Sequence, residues 1–418
     1  MEGQAITQQM TELKPVAEAQ QSIFSMMARA KTESCALDAA HGRVLATDIT
    51  AQTDHPAADI SAMDGYALAS AGKILAKGTC FELAGEAAAG HYTAASIGNK
   101  QAMRIFTGAY LPDGADSVAI QEDVSRDGEQ ICLNEPVKTG QFVRPKGLDF
   151  SAGEVILQAG TILGARQLAL AGLAGYSALP VRKKPLVAII SSGDELVSVG
   201  QMPKAGQLIN SNSVFLAHAL RQAGAEVADL GIIPDKRGAL ISALQEGLAT
   251  YKHFDLIVCT GGASVGQHDH IAADLNADQN ASIDFWRIAM RPGKPLIAAR
   301  WRDIPFLGLP GNPVSAGVCS LVFVLPAIQM FLGLPVMQET RTLPLAVDMP
   351  ENDRRQDYIR AVYTRRPDGS LAVHPLGKQD SSMLRNFCQA ELLILRPPFA
   401  KPAKAGDMVS VMDIAASL

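Results

Sequence analysis

Three stretches between Thr260 and Ala316 combine glycine, cations and potential amide donors: TGGASVGQHD from Thr260, RPGKP from Arg291 and GLPGNPVSA from Gly308. The first and third follow short apolar runs, Leu256–Cys259 and Pro305–Leu307, so their glycines fall where a chain would leave a strand. Without a Cβ, glycine lets backbone N–H groups approach an anion closely, and a helix N-terminus adds favourable partial charge. Gly261, Gly262, Ser264, Gly266, Gly311, Asn312 and Pro313 are therefore candidate binding positions. Arg287, Arg291 and Lys294 lie between the two loops and offer two forked donors and one point charge to an oxyanion. Glu195, Asp235 and Asp269 are hard oxygen ligands suited to Mg2+. Phosphate, Mg2+ and a polarised water together point to attack on a phosphoanhydride. His268 and His270 flank Asp269, but without further ligands they read as solvated side chains.

A second constellation lies upstream. SAMDGYA puts Asp64 before a glycine turn and an aromatic, and RIFTGA puts the Thr107 hydroxyl just after an expected strand. On local pattern alone these could also be two ordinary turns.

The elements that must position these residues are legible in outline. From Pro185 to about Phe331, strand and helix alternate: strands at Leu186–Ile190, Val227–Ile233 and Phe254–Cys259, a helix capped by Asn210 or Asn212 and ended near Gly224, and another at Lys236–Tyr251. Such alternation implies parallel strands with crossover helices, and ligands of open parallel sheets sit outside the carboxyl ends of the strands. All four expected exits bear acids or glycines: SSGDE, PD, TGG and GLPGNP. Met1 to about Leu45 reads as helix, with Leu13, Val16, Ile23, Met26 and Met27 at helical spacing. Ile49 to Phe150 breaks into short β-like runs, and Thr161–Gly175 returns to helix. Beyond Gly333 the chain is β-like again, with strands expected at Leu343–Val347, Tyr358–Tyr363, Leu371–Val373, Leu392–Arg396 and Met408–Met412, and a hairpin turn at Pro367-Asp368-Gly369. The fold class is thus multi-domain α/β plus β. It comprises a helical linker domain (1–48 and 152–183), an inserted β-rich module (49–151), a central parallel-sheet α/β domain (184–333) and a C-terminal β-barrel-like domain (334–418).

At 418 residues the chain should form roughly two to four domains. A net charge of −5 with no basic stripe argues against nucleic-acid binding. Val314–Phe331 carries no charge, but Ser315, Ser320 and Pro326 interrupt it, so it reads as a buried helix that caps at Asn312 and starts at Pro313. The six cysteines lie far apart in sequence without metal or redox spacing, and a reducing cytoplasm is the simplest setting.

SAMDGYAL, IFTGAYLPDGADSV, SSGDELV, GQLINSNS, TGGASVGQHD, RPGKP and GLPGNPVSA occur in this order. The set resembles the MoeA and gephyrin E-domain family of molybdopterin molybdenumtransferases, from about Asp54 to Gly317, with weaker agreement at both ends. The resemblance implies a molybdopterin-binding-like α/β domain and Mg-dependent insertion of molybdate into adenylylated molybdopterin, with release of AMP. It also implies a cytoplasmic homodimer whose cleft combines the α/β domain of one subunit with the Asp64-bearing module of its mate, and an adenylyltransferase as pathway partner. Carried over, Asp64, Thr107, Glu195, Asp235, Asp269 and Lys294 would be catalytic, with Glu195, Asp235 and Asp269 at Mg2+. Arg287 and Arg291 replace lysines common in relatives, Ala263 replaces a more usual valine, and Arg360 and Ser381 look like molybdate or pterin-phosphate contacts. An adenylyltransferase on the same α/β fold, a peptide-anchoring scaffold and tungstate as the natural oxyanion are the competing readings.

Overall fold

Leu186–Ser192 and Leu256–Thr260 are almost wholly buried runs, the pattern of strands covered on both faces. In the computed structural model, which describes residues 13–90, 96–262, 270–336 and 340–414, they are neighbours in the middle of a six-stranded sheet. Its order is Glu226–Ile233, Leu186–Ser192, Leu256–Thr260, Ile304–Leu309, Ile297–Trp301, Ala281–Trp286. The first four strands are parallel, and the last two are added antiparallel. Helices Ser211–Gln222 and Ala239–Tyr251 supply crossovers, and Asn210 caps the first by accepting from Ser213 N at 3.3 Å. One face packs Ile190, Leu240, Leu244, Ile257, Leu275 and Phe306 into a dry core. Trp301 is fully buried, and its Nε1 donates to Asp278 at 2.9 Å, so the indole brings apolar area without leaving an unmet donor.

The coordinates divide into two compact units: Glu33–Val181, and the remainder from Arg182 together with the residues up to Thr32. The second unit holds this sheet, the apolar helix and the C-terminal strands. Pro313–Leu332 is long and apolar enough to cross a membrane, but 89% of that stretch is buried inside the protein. Val16–Met26 packs here too, with Gln20 Nε2 donating to Val322 O at 3.0 Å. The helix expected from Met1 to Leu45 is therefore one short helix among the described residues. It stops at Met27, which is extended, and Thr32–Ala36 is a strand with alternating exposure.

The C-terminal strands run Met290–Arg291, Gln356–Arg365, Leu392–Arg396, Met408–Asp413, Thr340–Pro344, with Leu371–Pro375 on the other side of Gln356–Arg365. Leu345 bridges Val373, joining the two ends of this sheet around Leu345, Val373, Leu392, Ile394 and Val411. Gly369, at φ +85°, makes the turn that joins Gln356–Arg365 to Leu371–Pro375.

In Glu33–Val181, a six-stranded sheet has the order Ser117–Ile120, Gly65–Leu68, Gln101–Ile105, Cys80–Ala87, Gln130–Leu133, Val124–Asp127. Alternate residues serve two cores: Tyr66 and Leu68 on one face, Ala67, Met103 and Ile105 on the other. A third cluster, Leu45, Ile49, Leu157, Leu163, Leu179 and Val181, surrounds the helix Ala165–Leu173, so the region expected to be helical is one helix with short strand pairs. Cys80 and Cys132 face each other on adjacent antiparallel strands and form a disulfide. The sequence spacing gave no sign of this pairing: the two are 52 positions apart, and only the strand register brings them together.

Candidate active site

The four parallel strands end level. Ser191 pairs with Thr260, Thr260 with Leu309 and Ser192 with Ile233, so the loops that follow leave from one edge. Below them lies a buried polar chain. Thr260 Oγ1 donates to Ser191 Oγ at 3.3 Å, and Ser191 Oγ to Asn210 Oδ1 at 3.1 Å. At the edge the backbones touch. Gly261 has φ +82°, and a Cβ there would lie 2.1 Å from Ser192 O, a crossing that only glycine permits. A Cβ on Gly262 would meet Ile271, and one on Gly311 would lie 3.6 Å from the Gly261 Cα. Asn212 Nδ2 donates to Gly311 O at 2.8 Å, tying the fourth exit to a crossover helix.

The acids occupy the same edge. Ser192 Oγ donates to Asp235 Oδ1 at 2.7 Å, and Asp235 N donates to Asp194 Oδ1 at 3.1 Å. The Glu195 carboxylate folds over Gly193, where an added Cβ would sit 2.6 Å from its Oε2. Neither Glu195 nor Asp235 forms an ion pair with a described residue. Ser264, Gly266, His268 and Asp269 lie outside the described residues, and His270 opens the helix His270–Ala277.

The start of the apolar helix differs from expectation. Asn312 holds the cap position, but its side chain makes no capping bond; Nδ2 donates instead to Ser381 Oγ at 2.9 Å. Ser381 O accepts from Val314 N at 3.0 Å, so the C-terminal region meets one of the amides that a helix N-terminus leaves open. Arg360 stands behind this contact. It is 1% exposed, and it donates to Gln379 Oε1 at 3.2 Å, Asp380 O at 2.9 Å and Lys378 O at 3.5 Å. Burial pulls its pKa down. The guanidinium is thus engaged in holding the loop that presents Ser381.

The three cations between the loops differ. Arg291 grips Asp357 with two nitrogens and also reaches Asp353 at 3.4 Å and Asn352 at 3.2 Å. The bond to Asp357 pushes the Arg291 pKa up. The two carboxylates balance its charge and tie the C-terminal strands to the PGK turn, while its side chain stays about half exposed. Asp353 is drawn down to about 2, chiefly by Arg355, whereas burial raises Asp357 despite Arg291. Arg287 is backbone-strained at φ +117°, and its Nε is buried with no hydrogen-bond partner, an unmet donor in a basic region. Lys294 is exposed and has no ion-pair partner among the described residues.

In Glu33–Val181, Asp64 and Thr107 meet. Asp64 Oδ1 accepts from Thr107 N at 2.7 Å and from Thr107 Oγ1 at 2.9 Å. These bonds, first the backbone one, hold the carboxyl below its usual range, so it stays ionised. A Cβ on Gly65 would lie 1.9 Å from Ala119 O, which explains the glycine after Asp64: its strand lies against Ser117–Ile120. Arg104, passed over in the sequence reading, adjoins this pair. Its place three residues before Thr107 and two before Phe106 was the available signal.

Three family models cover most of the chain: MoeA N-terminal region (domain I and II) at residues 14–175, probable molybdopterin binding domain at 188–330, and MoeA C-terminal region (domain IV) at 342–414. A molybdopterin molybdenumtransferase of Nostoc is 34% identical over 395 residues, covering 92% of this chain and 89% of the relative. The chain belongs to the molybdopterin molybdenumtransferase family. That makes it a transferase. A family member from Haemophilus influenzae is 32% identical, with 91% and 93% of the two chains covered. The crystal structure of a molybdopterin biosynthesis moeA protein from Pyrococcus horikoshii superposes with a TM-score of 0.81 at 26% identity, covering 96% of this chain and all of that one. Family membership agrees with the edge geometry, because the binding-domain match spans all four strand exits.

Proposed function

We propose that the chain inserts molybdate into adenylylated molybdopterin, with release of AMP, as a cytoplasmic homodimer in molybdenum cofactor biosynthesis. The observation that supports this best is the convergence of three exits at Ser192, Gly261 and Gly311, where Gly261 crosses Ser192 at a distance closed to any side chain and Gly311 lies against Gly261. Exposed backbone at strand ends suits phosphate oxygens. Gly261, Gly262 and Gly311 hold the nucleotide and its phosphates, together with Ser264 and Gly266. Lys294 and Arg287 attract the molybdate dianion by their charge. Asp64 and Thr107, from the unit of the mate subunit, complete the cleft.

Among the described residues no three His, Cys, Asp or Glu side chains group as a resident metal site. Glu195 and Asp235, free of cationic partners among the described residues, instead suit Mg2+ held by one or two carboxylates together with substrate phosphates. Bound there with Asp269, Mg2+ would neutralise charge on the anhydride. The chain's own residues fix the nucleotide and exclude alternative poses.

The test is a purified insertion assay with adenylylated molybdopterin and molybdate, reading AMP and metal-loaded pterin. Asp64→Ala and Glu195→Ala should each abolish transfer, by about 100-fold or more, with circular dichroism unchanged. Full activity in both variants overturns the site. Formation of adenylylated pterin from ATP and metal-free pterin, with no insertion, would mean the chain makes that intermediate instead.

A further inference from the structure

Arg104 lies in the strand Gln101–Ile105, paired with Tyr66, on a backbone that runs directly into Phe106 and Thr107. Its guanidinium lies 5.1 Å from the Tyr66 ring centroid and 5.0 Å from that of Phe106, within cation–π range of both. Nη1 donates to Gly65 O at 3.2 Å, and Nη2 to Gln121 Oε1 at 2.6 Å. Gln121 in turn donates its own N–H to Asp64 O at 3.1 Å. One half-buried cation therefore touches the residue after Asp64, the residue that holds the Asp64 carbonyl, and the residue before Thr107. The rings fix the guanidinium plane, and the forked donors fix two loops against it, a geometry that lysine cannot copy.

We propose that Arg104 is a positioning residue for the Asp64–Thr107 pair. It locks the two turns in the spacing at which the carboxylate accepts both Thr107 donors. This rests on the functional reading above, in which Asp64 and Thr107 meet substrate. Misplacing such a pair by about 1 Å costs on the order of 100-fold in rate.

The test uses the full-length dimer with Arg104→Gln and Arg104→Lys, both checked for native circular dichroism. In the insertion assay, Arg104→Gln should lower kcat about 10- to 100-fold with KM changed less than about threefold, and Arg104→Lys should recover only part of the loss. A second readout needs no substrate: the Asp64 carboxyl, followed by carbon-13 NMR, should titrate at least about half a unit higher in Arg104→Lys, which keeps the positive charge that itself favours ionised Asp64, as the Thr107 donors loosen. A wild-type kcat in Arg104→Gln, or an unmoved Asp64 titration, overturns the proposal. If the wild-type chain shows no insertion while the Asp64 titration still moves, the functional reading fails and the positioning role stands.

Discussion

At the scale of single residues, the site depends on places where a side chain is forbidden and places where one is already occupied. Gly261 is the clearest of the first kind. Gly261→Ala would add strain at φ +82° and a backbone collision with Ser192 O, which no rotamer change relieves. We expect a loss of about 3 kcal/mol or more, read as a lower midpoint in urea unfolding, with nucleotide binding lost even where folding persists. An unchanged midpoint would mean that the two exits do not meet. Asp64 and Thr107 stood out only through the family resemblance, their local pattern being that of two ordinary turns, whereas the glycines and the acids at the strand ends could be read from sequence because residue type and local spacing carry their meaning. Arg291 and Arg360 could not. Their partners are Asp357, 66 residues away from Arg291, and the carbonyls of residues 378 and 380. A cation next to a glycine turn reads as an open charge until the chain that neutralises it is in place. Arg104 was missed for a related reason: its contact with Tyr66 and its bond to Gly65 arise from strand pairing, not from spacing.

At the scale of elements, strands covered on both faces were the most legible, since their apolar runs bounded by glycines admit little else. The N-terminal segment was not, because apolar residues at helical spacing continue past the point where Met27 becomes extended. Strand register is the other hidden variable, and the Cys80–Cys132 bond shows its effect. The bond closes a loop of 52 positions that includes the strand leading to Thr107. By chain entropy, closing such a loop stabilises the folded state by about 4 kcal/mol. Urea unfolding with and without dithiothreitol should therefore give separate midpoints, the reduced sample lower, and Cys80→Ser with Cys132→Ser should match the reduced one in both conditions. Coincident curves would mean that the thiols stay apart. In a reducing cytoplasm the pair would be a dithiol, and the reduced midpoint would be the one that matters.

At the scale of the whole molecule, the C-terminal strands and the α/β sheet belong to one compact unit, and the contact between them is specific. Phe387, 5% exposed, covers Gly317, where an added Cβ would lie 2.6 Å from its ring, and it tilts against Phe215 at 6.1 Å. Phe387→Ala should cost about 3–5 kcal/mol. The loss should appear in tryptophan fluorescence, because both tryptophans, Trp286 and Trp301, lie on the α/β sheet, far along the chain from the substitution. A fluorescence midpoint that ignores the change would show that the two sheets unfold independently.

The Ser381 carbonyl on Val314 and the Phe387 ring on Gly317 also bear on how such chains can be recombined. Grafting the tail of one relative onto the body of another would succeed only where the incoming tail brings a ring shaped for the glycine and a peptide oxygen aimed at the first turn. Tail and body fit as a matched lock, so lineages that vary one should be found to vary the other in step.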